Sequence, residues 1–539
     1  MSDHMGLLEG LLTQENHYGR SVRVYKERPT HFHEVFARSC RLYPDKTALV
    51  YRDRRWTYRE LDELSFACAS NLRARHQVRK GDRVALLIGN EAEFVIGALA
   101  VHRMGAVLVP LNTRLLAREL VYMLNNSGTA VLVTTPEQWQ KLAPFIAELA
   151  ALRAVYMAVG PAAPGTLPFA DLLTPPVEPL PFVSIAEGDP IYLTYTSGTT
   201  GLPKGACCTH FNVIHSMINF QVVKRFRPEE ITLLGVPIFH ITGLVAQFAQ
   251  MIYVGGTIVL QPQPFRAAVA LELIERERVS HFFGVPTIFI MLMSSPDFQT
   301  RDIASLRLVA SGGAPLPPDV VETWTTRQPG IAFINFYGLT ETTSPATYLP
   351  DAYKLKKPGS AGLPLPVTEL RVVGDDDRDL GVGEVGELLI KGPEVFLGYW
   401  NNPEANEKAI RDGGWFYTGD LARIDPDGFL WIMDRKKDMV NRGGEKIYCA
   451  EVENVIYGHP GVLEVAVLGK PDSFYGETVL AVVVPRPGVT LTAADITAWT
   501  RERLADYKVP ATVEFRTDLP RNPGGKVMKQ VLRQELQAG

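Results

Sequence analysis

One run of glycine, hydroxyl and lysine side chains is the segment of this chain best suited to chemistry. It spans Tyr195 to Gly205 and has the sequence YTSGTTGLPKG. Glycines let backbone N–H groups approach phosphate oxygens closely, hydroxyls donate further hydrogen bonds, and a lysine supplies positive charge. The run predicts a cradle for a polyphosphate, and a surface loop without a ligand is the alternative. The candidate ligand-binding residues are Thr196, Ser197, Gly198, Thr199, Thr200, Gly201 and Lys204.

The most familiar phosphate-binding loop, the Walker A loop, does not fit this run. That loop needs a glycine directly before its lysine. Here Pro203 occupies that place, and Gly205 follows Lys204 instead. The P-loop NTPase pattern is therefore excluded.

The elements that must position this run belong to an α/β pattern. Apolar strands alternate with helical segments through the first four-fifths of the chain, and the run lies between a predicted strand and a helix that begins near Thr209. Strands that are apolar on both faces predict parallel sheets covered by helices. The predicted strands are 83–88, 106–110, 130–134, 191–194, 231–236 and 257–260, and the predicted helices include 91–104 and 267–278.

A change of amino-acid composition near residue 434 predicts a second domain. The segment DRKKDMVNRGGEK, which begins at Asp434, is dominated by charged residues and glycine. The chain after it has about the length of a small domain, with a predicted helix at 450–457 and a strand at 477–484. We predict a large multi-sheet α/β domain over residues 1–433, a hinge at 434–437 and a small mobile α+β domain over 438–539.

Composition limits the function classes. The chain has 539 residues, too many for one hydrophobic core, and its net charge of −4 does not favour nucleic-acid binding. Its five cysteines have no CxxC spacing, which suits a reducing compartment. The longest apolar stretch, 95–111, contains His102 and Arg103 and is short for a membrane span. Because the N-terminus also lacks the pattern of a secretory signal, we expect residence in the cytoplasm.

Several further segments occur in an order that identifies a family. Together with the run at Tyr195, they resemble the signature motifs of the adenylate-forming superfamily, which contains acyl-CoA synthetases, peptide-synthetase adenylation domains and firefly-type luciferases. The resemblance covers nearly the whole chain. The segments are WTYRELDELS (56–65), GAVLVPLNTRL (105–115), SGGAPL (311–316), YGLTE (337–341), YTGD (417–420), DRKKDMVNRGGEKI (434–447) and NPGGK (522–526).

The resemblance implies that the protein uses ATP and Mg²⁺ to activate a carboxylic acid. Glu341, with the hard oxygen ligands that Mg²⁺ prefers, would hold the metal together with Thr196. Thr340 would contact the α-phosphate. Without the resemblance, a threonine–glutamate pair in a turn is ordinarily solvated.

The resemblance also assigns the nucleoside contacts. An aromatic ring would cover one face of adenine, a glycine-rich backbone would form the opposite wall, and a carboxylate with an arginine would bind the ribose. A buried core tyrosine, a turn aspartate and a hinge arginine are the ordinary alternatives. The residues implied are Tyr337, Gly312, Gly313, Ala314, Asp420 and Arg435.

The C-terminal part would supply the remaining machinery. Lys526 lies in a glycine- and proline-rich segment, and its cation would stabilise the attacking carboxylate and the α-phosphate together. A lysine so near the terminus is otherwise usually solvated. Lys437 matches the pivot of the family's small domain, and Gly443 and Gly444 would line a tunnel for the pantetheine arm of coenzyme A.

His240, in the segment PIFHITG, indicates the branch of the superfamily. Domains that activate amino acids typically carry an aspartate at this position, so a histidine favours the acyl-CoA and aryl-CoA ligases. His240 would wall or gate the carboxylate pocket, or serve a structural role. We therefore expect an acyl-CoA synthetase acting on a fatty or aromatic monocarboxylic acid, with coenzyme A as acceptor and a homodimer as one possible state. A luciferase-like oxygenase and a non-catalytic nucleotide-binding relative remain alternatives.

Overall fold

The structure is a computed structural model that describes residues 10–176, 178–196, 202–314, 316–521 and 527–538. The chain divides into two units. The first contains Met1–Glu369 and Ile390–Phe416, and the second contains Leu370–Leu389 and Tyr417–Gly539. The predicted domain boundaries and the hinge at 434–437 stay a prediction.

The run at Tyr195 belongs to an eight-stranded sheet of the first unit. Its central strands are parallel and its edge near the run is antiparallel. Leu87, Val109 and Leu193 project from these strands into one apolar core, which explains why the strands are apolar throughout. In spatial order the strands are Gly398–Tyr399, Lys204–Thr209, Pro190–Thr196, Val107–Pro110, Arg83–Leu87, Thr129–Thr134, Ala154–Met157 and Leu167–Pro168.

A nine-stranded sheet forms the other half of the first unit. Its middle strands are parallel, and antiparallel strands close both edges. Phe282, Phe289 and Trp324 lie at the centre of its apolar core. In spatial order the strands are Leu363–Pro364, Thr347–Leu349, Ala332–Tyr337, Leu308–Gly312, His281–Gly284, Ile231–Leu234, Thr257–Leu260, Thr47–Tyr51 and Arg54–Thr57.

Helices cover these sheets, and a hairpin of Leu12–His17 and Arg20–Tyr25 precedes them. The helix Tyr58–His76 begins with a capping box between Thr57 and Glu60, which satisfies its first free amides. The other helices of the first unit are Phe32–Leu42, Ala92–Arg103, Ala117–Ser127, Pro136–Leu142, His210–Lys224, Ile241–Gly243, Gln250–Val254, Ala267–Arg276, Pro286–Met293, Asp297–Thr300, Pro318–Arg327 and Pro403–Ala409, with a π-helix at Leu244–Ala249.

Two five-stranded sheets occur in the last third of the chain. One contains Glu369–Val373, Gly386–Lys391, Trp415–Ile424, Ile410–Arg411 and Leu430–Arg435. The other contains Glu445–Ile447, Val440–Arg442, Gly476–Pro485, Val462–Asp472 and Thr512–Phe515. The helices of the second unit are Cys449–Tyr457, Ala493–Arg501 and Lys529–Ala538. Val452, Ile456 and Ile496 pack against the second of these sheets, as an α+β domain requires.

The predicted elements agree with the structure, apart from one segment. All seven predicted strands exist, and the predicted α/β class of the first unit is confirmed. After the run, however, the chain forms the strand Lys204–Thr209 before the helix His210–Lys224 begins. Residues 205–209 are buried against the neighbouring strand, which extends the sheet. In the described residues, we find no helix that is both long and apolar enough to cross a lipid bilayer.

Candidate active site

Glu341 is placed by a tight turn at the end of a parallel strand. The strand Ala332–Tyr337 ends, and a single 3₁₀ turn, Thr340–Thr342, follows it. The chain then folds back so sharply that a Cβ on Gly338 would lie 1.5 Å from the carbonyl oxygen of Ser344. Only glycine can occupy that position. The turn therefore holds Glu341, which is 8% exposed, in a fixed place.

Two hydroxyl-bearing side chains contact the carboxylate of Glu341. The hydroxyl of Tyr399 donates a hydrogen bond to Glu341 Oε1 at 2.8 Å, and Thr196 Oγ1 lies 3.4 Å from the same oxygen. Thr196 is the last residue of its strand, 145 positions before Glu341. The structure thus brings together the two residues that the resemblance assigned to a metal, and adds a tyrosine.

These groups fit a magnesium ion by their chemistry. A carboxylate and a hydroxyl are the hard oxygen ligands that Mg²⁺ accepts, and Mg²⁺ commonly takes one or two carboxylates with phosphate oxygens completing its shell. Glu341 and Thr196 would hold it, with Tyr399 orienting the carboxylate.

The two ends of the predicted phosphate loop lie side by side. Thr196 and Lys204 are partners in an antiparallel pairing, and Lys204 Nζ lies 5.1 Å from the centre of the Tyr399 ring. The lysine is thus held close to the tyrosine that contacts Glu341. Tyr195 is anchored by a 2.7 Å hydrogen bond from its hydroxyl to Asn126. The residues between, Ser197, Gly198, Thr199, Thr200 and Gly201, lie outside the described residues.

The predicted adenine site is formed by two neighbouring parallel strands. Gly312 ends one strand and is paired with Phe336, and Tyr337 follows Phe336 at the end of the next. A Cβ on Gly312 would approach the carbonyl oxygen of Phe336 to 3.0 Å, so the glycine permits the strands to lie close. Gly313 has φ +82° and continues the turn towards Ala314. Carboxyl ends of parallel strands are the usual place for ligands in such sheets.

His240 begins a short helical segment close to this sheet. It is the N-cap of Ile241–Gly243, and its Nδ1 lies 3.2 Å from Thr242 Oγ1 and accepts a hydrogen bond from the Thr242 amide. Its side chain is exposed. The capping contact gives His240 a structural role. Its role in walling or gating the carboxylate pocket stays a prediction.

The two residues predicted to contact the ribose form an ion pair in the second unit. Asp420 and Arg435 are opposite each other on paired strands, and Arg435 Nε lies 2.5 Å from Asp420 Oδ1. Asp420 is 3% exposed, whereas a third of the Arg435 side chain is open to solvent. The pair holds the carboxylate in one orientation.

Two further predicted residues of the second unit lie in a hairpin. Gly443 and Gly444 join the strands Val440–Arg442 and Glu445–Ile447, with φ values of +61° and +98° that favour glycine. The Gly443 amide donates to the carbonyl of Tyr475 at 2.8 Å. Lys526 lies outside the described residues, so its predicted role stays a prediction, as do the roles of all the other site residues.

Sequence reasoning missed Tyr399. Its segment, FLGYW, carries no charged or hydroxyl-rich pattern, and its partner Glu341 is 58 positions away. A lone tyrosine beside a tryptophan ordinarily predicts core packing. Only the pairing of Gly398–Tyr399 with the strand Lys204–Thr209 brings the hydroxyl to the site.

Known proteins resemble this chain along most of its length. The AMP-binding enzyme family matches residues 36–400, and the AMP-binding enzyme C-terminal domain matches residues 451–526. A feruloyl-CoA synthase of Amycolatopsis is 40% identical over 499 residues, which cover 93% of this chain and 98% of that protein. A long-chain-fatty-acid–CoA ligase of Mycobacterium tuberculosis is 38% identical over 488 residues, covering 90% and 94%.

A solved structure supports the same conclusion. An anthranilate CoA ligase in complex with anthranoyl-AMP superposes with a TM-score of 0.88 at 29% identity, covering 94% of this chain and 97% of that one. The family match spans more than half of the chain, and it includes the turn that holds Glu341. This chain belongs to the AMP-binding enzyme family.

Proposed function

We propose that this protein is an ATP-dependent carboxylic acid–CoA ligase that forms an acyl-adenylate and then an acyl-CoA thioester. The prediction of an AMP-forming acid–thiol ligase is confirmed by relatives that are CoA ligases over nearly their full length. The use of ATP, Mg²⁺ and coenzyme A belongs to this class. The observation that carries the proposal is the meeting of Glu341, Thr196 and Tyr399 beside the ends of the phosphate loop.

In the first step, a carboxylate oxygen of the acid attacks the α-phosphorus of ATP, and the bond to pyrophosphate breaks. No general base is needed, because a carboxylic acid is ionised at neutral pH. Bound magnesium would neutralise phosphate charge at Glu341 and Thr196. Thr340 would contact the α-phosphate, and Lys526 would hold the two reacting groups together.

In the second step, the thiol sulfur of coenzyme A attacks the carbonyl carbon of the adenylate, and the bond to AMP breaks. The thiol proton passes to solvent water as the thioester forms. Asp420 would retain the ribose by accepting hydrogen bonds from its hydroxyls, with Arg435 fixing the carboxylate. The glycine hairpin at Gly443 and Gly444 would leave room for the pantetheine arm.

The acid is a fatty or aromatic monocarboxylic acid in this proposal. Feruloyl-CoA synthase and a long-chain-fatty-acid–CoA ligase, at 40% and 38% identity, support both kinds. His240 at the start of Ile241–Gly243 would border the carboxylate end of the pocket.

One reaction mixture tests the proposal. The full-length protein is incubated with ATP, Mg²⁺, coenzyme A and a panel of linear, branched and aromatic acids, and AMP, pyrophosphate and thioester are measured. Thioester with stoichiometric AMP is the expected result. Adenylate that is oxidised rather than transferred would favour a luciferase-like oxygenase, and no AMP with any acid would favour a non-catalytic relative.

A variant pair connects the activity to the site. Glu341→Gln should lower the rate of adenylate formation about 100-fold or more, because the amide cannot balance the charge of a metal–phosphate complex. Glu148→Gln is the matched control, since Glu148 is exposed and forms its ion pair with Arg118, a residue outside the predicted site. Equal rates for the two variants would contradict the role of Glu341.

Two further features belong to this proposal. All five cysteines are free thiols, which agrees with the expected cytoplasmic location. A homodimer is proposed on the resemblance, and light scattering coupled to size-exclusion chromatography measures it.

A further inference from the structure

A lysine is buried beside the predicted adenylate site without an acidic partner. Lys224 is the last residue of the helix His210–Lys224 and is 2% exposed. Its Nζ donates to the carbonyl oxygen of Ala246 at 3.1 Å. The rings around it, with distances from Nζ to the ring centre, are Phe220 at 4.3 Å, Phe226 at 5.2 Å, Phe283 at 5.1 Å and Phe336 at 5.6 Å.

Among the described residues around it, the amine has neither partners for all of its N–H donors nor a counter-charge. A lysine ammonium has three N–H donors, and an ammonium buried without a counter-charge is costly. No carboxylate forms an ion pair with Lys224 in the parts of the chain that the structure describes, and burial lowers its pKa well below the usual value. The aromatic rings compensate only part of that cost. A ligand that accepts a hydrogen bond here would compensate more.

Two polar side chains next to Lys224 also have unused atoms. Gln247 follows Ala246 and His281 packs against Phe226, with ring centres 4.6 Å apart. Both side chains are fully buried, and neither Gln247 Nε2 nor His281 Nε2 has a hydrogen-bond partner among the described residues. Thr232 contacts both Gln247 and His281. Buried polar atoms are normally paired, so two unpaired atoms on either side of one threonine, next to a lysine with spare N–H donors, indicate a missing partner.

The hydrogen bonds of Thr232 determine whether each unpaired atom is a hydrogen-bond donor or an acceptor. Thr232 Oγ1 donates to Gln247 Oε1 at 3.3 Å, and it lies 2.9 Å from His281 Nδ1. Because the Thr232 proton is already used, His281 Nδ1 is the donor in that contact, and the neutral ring leaves Nε2 as an acceptor. The cluster therefore offers two donors, Lys224 and Gln247, and one acceptor, His281. A hydroxyl group, which both accepts and donates, is complementary to that set.

One layer of phenylalanine rings separates the cluster from the strands that form the predicted adenine site. Phe283 and Phe336 stack on each other with ring centres 6.0 Å apart, and both contact Lys224. On Gly312, a Cβ would meet Phe283 at 3.2 Å, and Tyr337 directly follows Phe336. The residues that carry Ala246 and Gln247 form a π-helix, a rare element found frequently at functional sites.

We propose that Lys224, Gln247 and His281 form a specificity site for a hydroxyl group at the far end of an aromatic acid. The oxygen accepts hydrogen bonds from Lys224 and Gln247, and its proton is donated to His281 Nε2. The phenylalanine rings enclose the arene. The inference rests on the proposed CoA-ligase function and narrows its substrate class from fatty or aromatic acids to hydroxylated aromatic acids.

The test compares three acids that differ at one position, on the full-length wild-type protein. We expect kcat/KM for thioester formation with 4-hydroxycinnamic acid to exceed that with cinnamic acid by roughly ten- to hundredfold, the effect of hydrogen bonds with a buried charged or polar site. With 4-methoxycinnamic acid, which can accept but not donate, we expect an intermediate value. Equal kcat/KM for the three acids would overturn the proposal.

Variants identify the residue responsible. Lys224→Met should reduce the preference for the hydroxylated acid to within about threefold, by lowering kcat/KM for that acid and leaving that for cinnamic acid in place. Lys141→Met is the control, because Lys141 contacts Thr113 and Gln138 instead. A Lys224→Met protein that loses activity equally with both acids would overturn the assignment.

The two proposals fail in different ways. If the wild-type protein forms no thioester with any acid, CoA ligation itself is wrong and the specificity site falls with it. If it forms thioester from fatty acids and cinnamic acid without favouring the hydroxyl, ligation stands and the specificity site is wrong.

Discussion

Each unit of this protein contains a largely buried lysine amine, and the surroundings of the two amines are opposite. In the first unit, Lys224 lies among phenylalanine rings without a carboxylate in the described structure. In the second unit, Lys529 Nζ lies 2.7 Å from Glu453 Oε1. Burial lowers the pKa of both lysines, but at Lys529 the charges of Glu453, Cys449 and Asp434 outweigh it and raise the pKa above its usual value.

The difference separates a structural ion pair from a group that awaits a ligand. Lys529 is charged and compensated, so the second unit depends on it for stability. Lys224 is uncompensated, so the first unit gains little from it until a partner binds. Three predictions test that contrast, and they are ordered by the size of the effect.

Removing the compensated lysine should have the largest effect. Lys529→Met leaves Glu453 enclosed without its counter-charge and should lower the free energy of unfolding by about 3 kcal/mol. Urea denaturation followed by circular dichroism measures the change. Adding Glu453→Gln should recover most of the loss, and a single variant as stable as wild type would show that the ion pair is not structural.

Two buried histidines of the first unit resemble Lys224, because burial disfavours their charged forms. They make the stability of the protein depend on pH. Burial lowers the pKa of His210 and His215 to about 3, against about 6.5 in an unfolded chain. Between these values the unfolded chain binds more protons, so stability falls as pH drops below 6.5. From pH 6.5 to 5, each histidine should remove about 2 kcal/mol.

Denaturation at pH 7.5, 6.5 and 5.0 measures this dependence. His215→Gln should flatten the slope, because it removes one of the buried neutral histidines. Stability that is constant across this range would contradict the assignment of neutral buried histidines.

Removing the uncompensated lysine should have the smallest effect on stability. Lys224→Met deletes a buried amine and keeps an apolar chain of similar length, so the free energy of unfolding should change by less than about 1 kcal/mol. The same variant should change acid selectivity strongly. A loss comparable to that of Lys529→Met would mean that Lys224 is structural and not a ligand-binding group.

Local patterns in the sequence predicted much of the candidate site. The strand at Pro190–Thr196, the helix at Ala92–Arg103 and the helix at Cys449–Tyr457 follow from periodicity, since side-chain burial repeats with the backbone. Glu341 and Thr196 were paired through motif resemblance, and the structure places them 3.4 Å apart.

The strand at Lys204–Thr209 was not predicted, for a local reason. The four residues between the glycine-rich run and the helix, 206–209, are short or apolar and carry no clear period. Their assignment depends on the open edge of the sheet beside Pro190–Thr196, which a single sequence does not display.

Lys224 shows the same limit at the site itself. A lysine at the end of an apolar helix ordinarily extends to solvent and favours the helix dipole. Its burial depends on Phe283 and Phe336, which lie 59 and 112 positions later in the sequence.

The sequence by itself determined the family and the reaction class, and it predicted a phosphate loop from Tyr195 to Gly205, because backbone access, hydroxyl donors and charge are properties of a short run. The tertiary structure alone decided that Tyr399 reaches Glu341, that Gln247 and His281 meet at Thr232, and that Lys224 and His281 both pack against Phe226. The order of strands in a sheet brings distant residues together, and burial then turns an ordinary lysine into a candidate for substrate recognition.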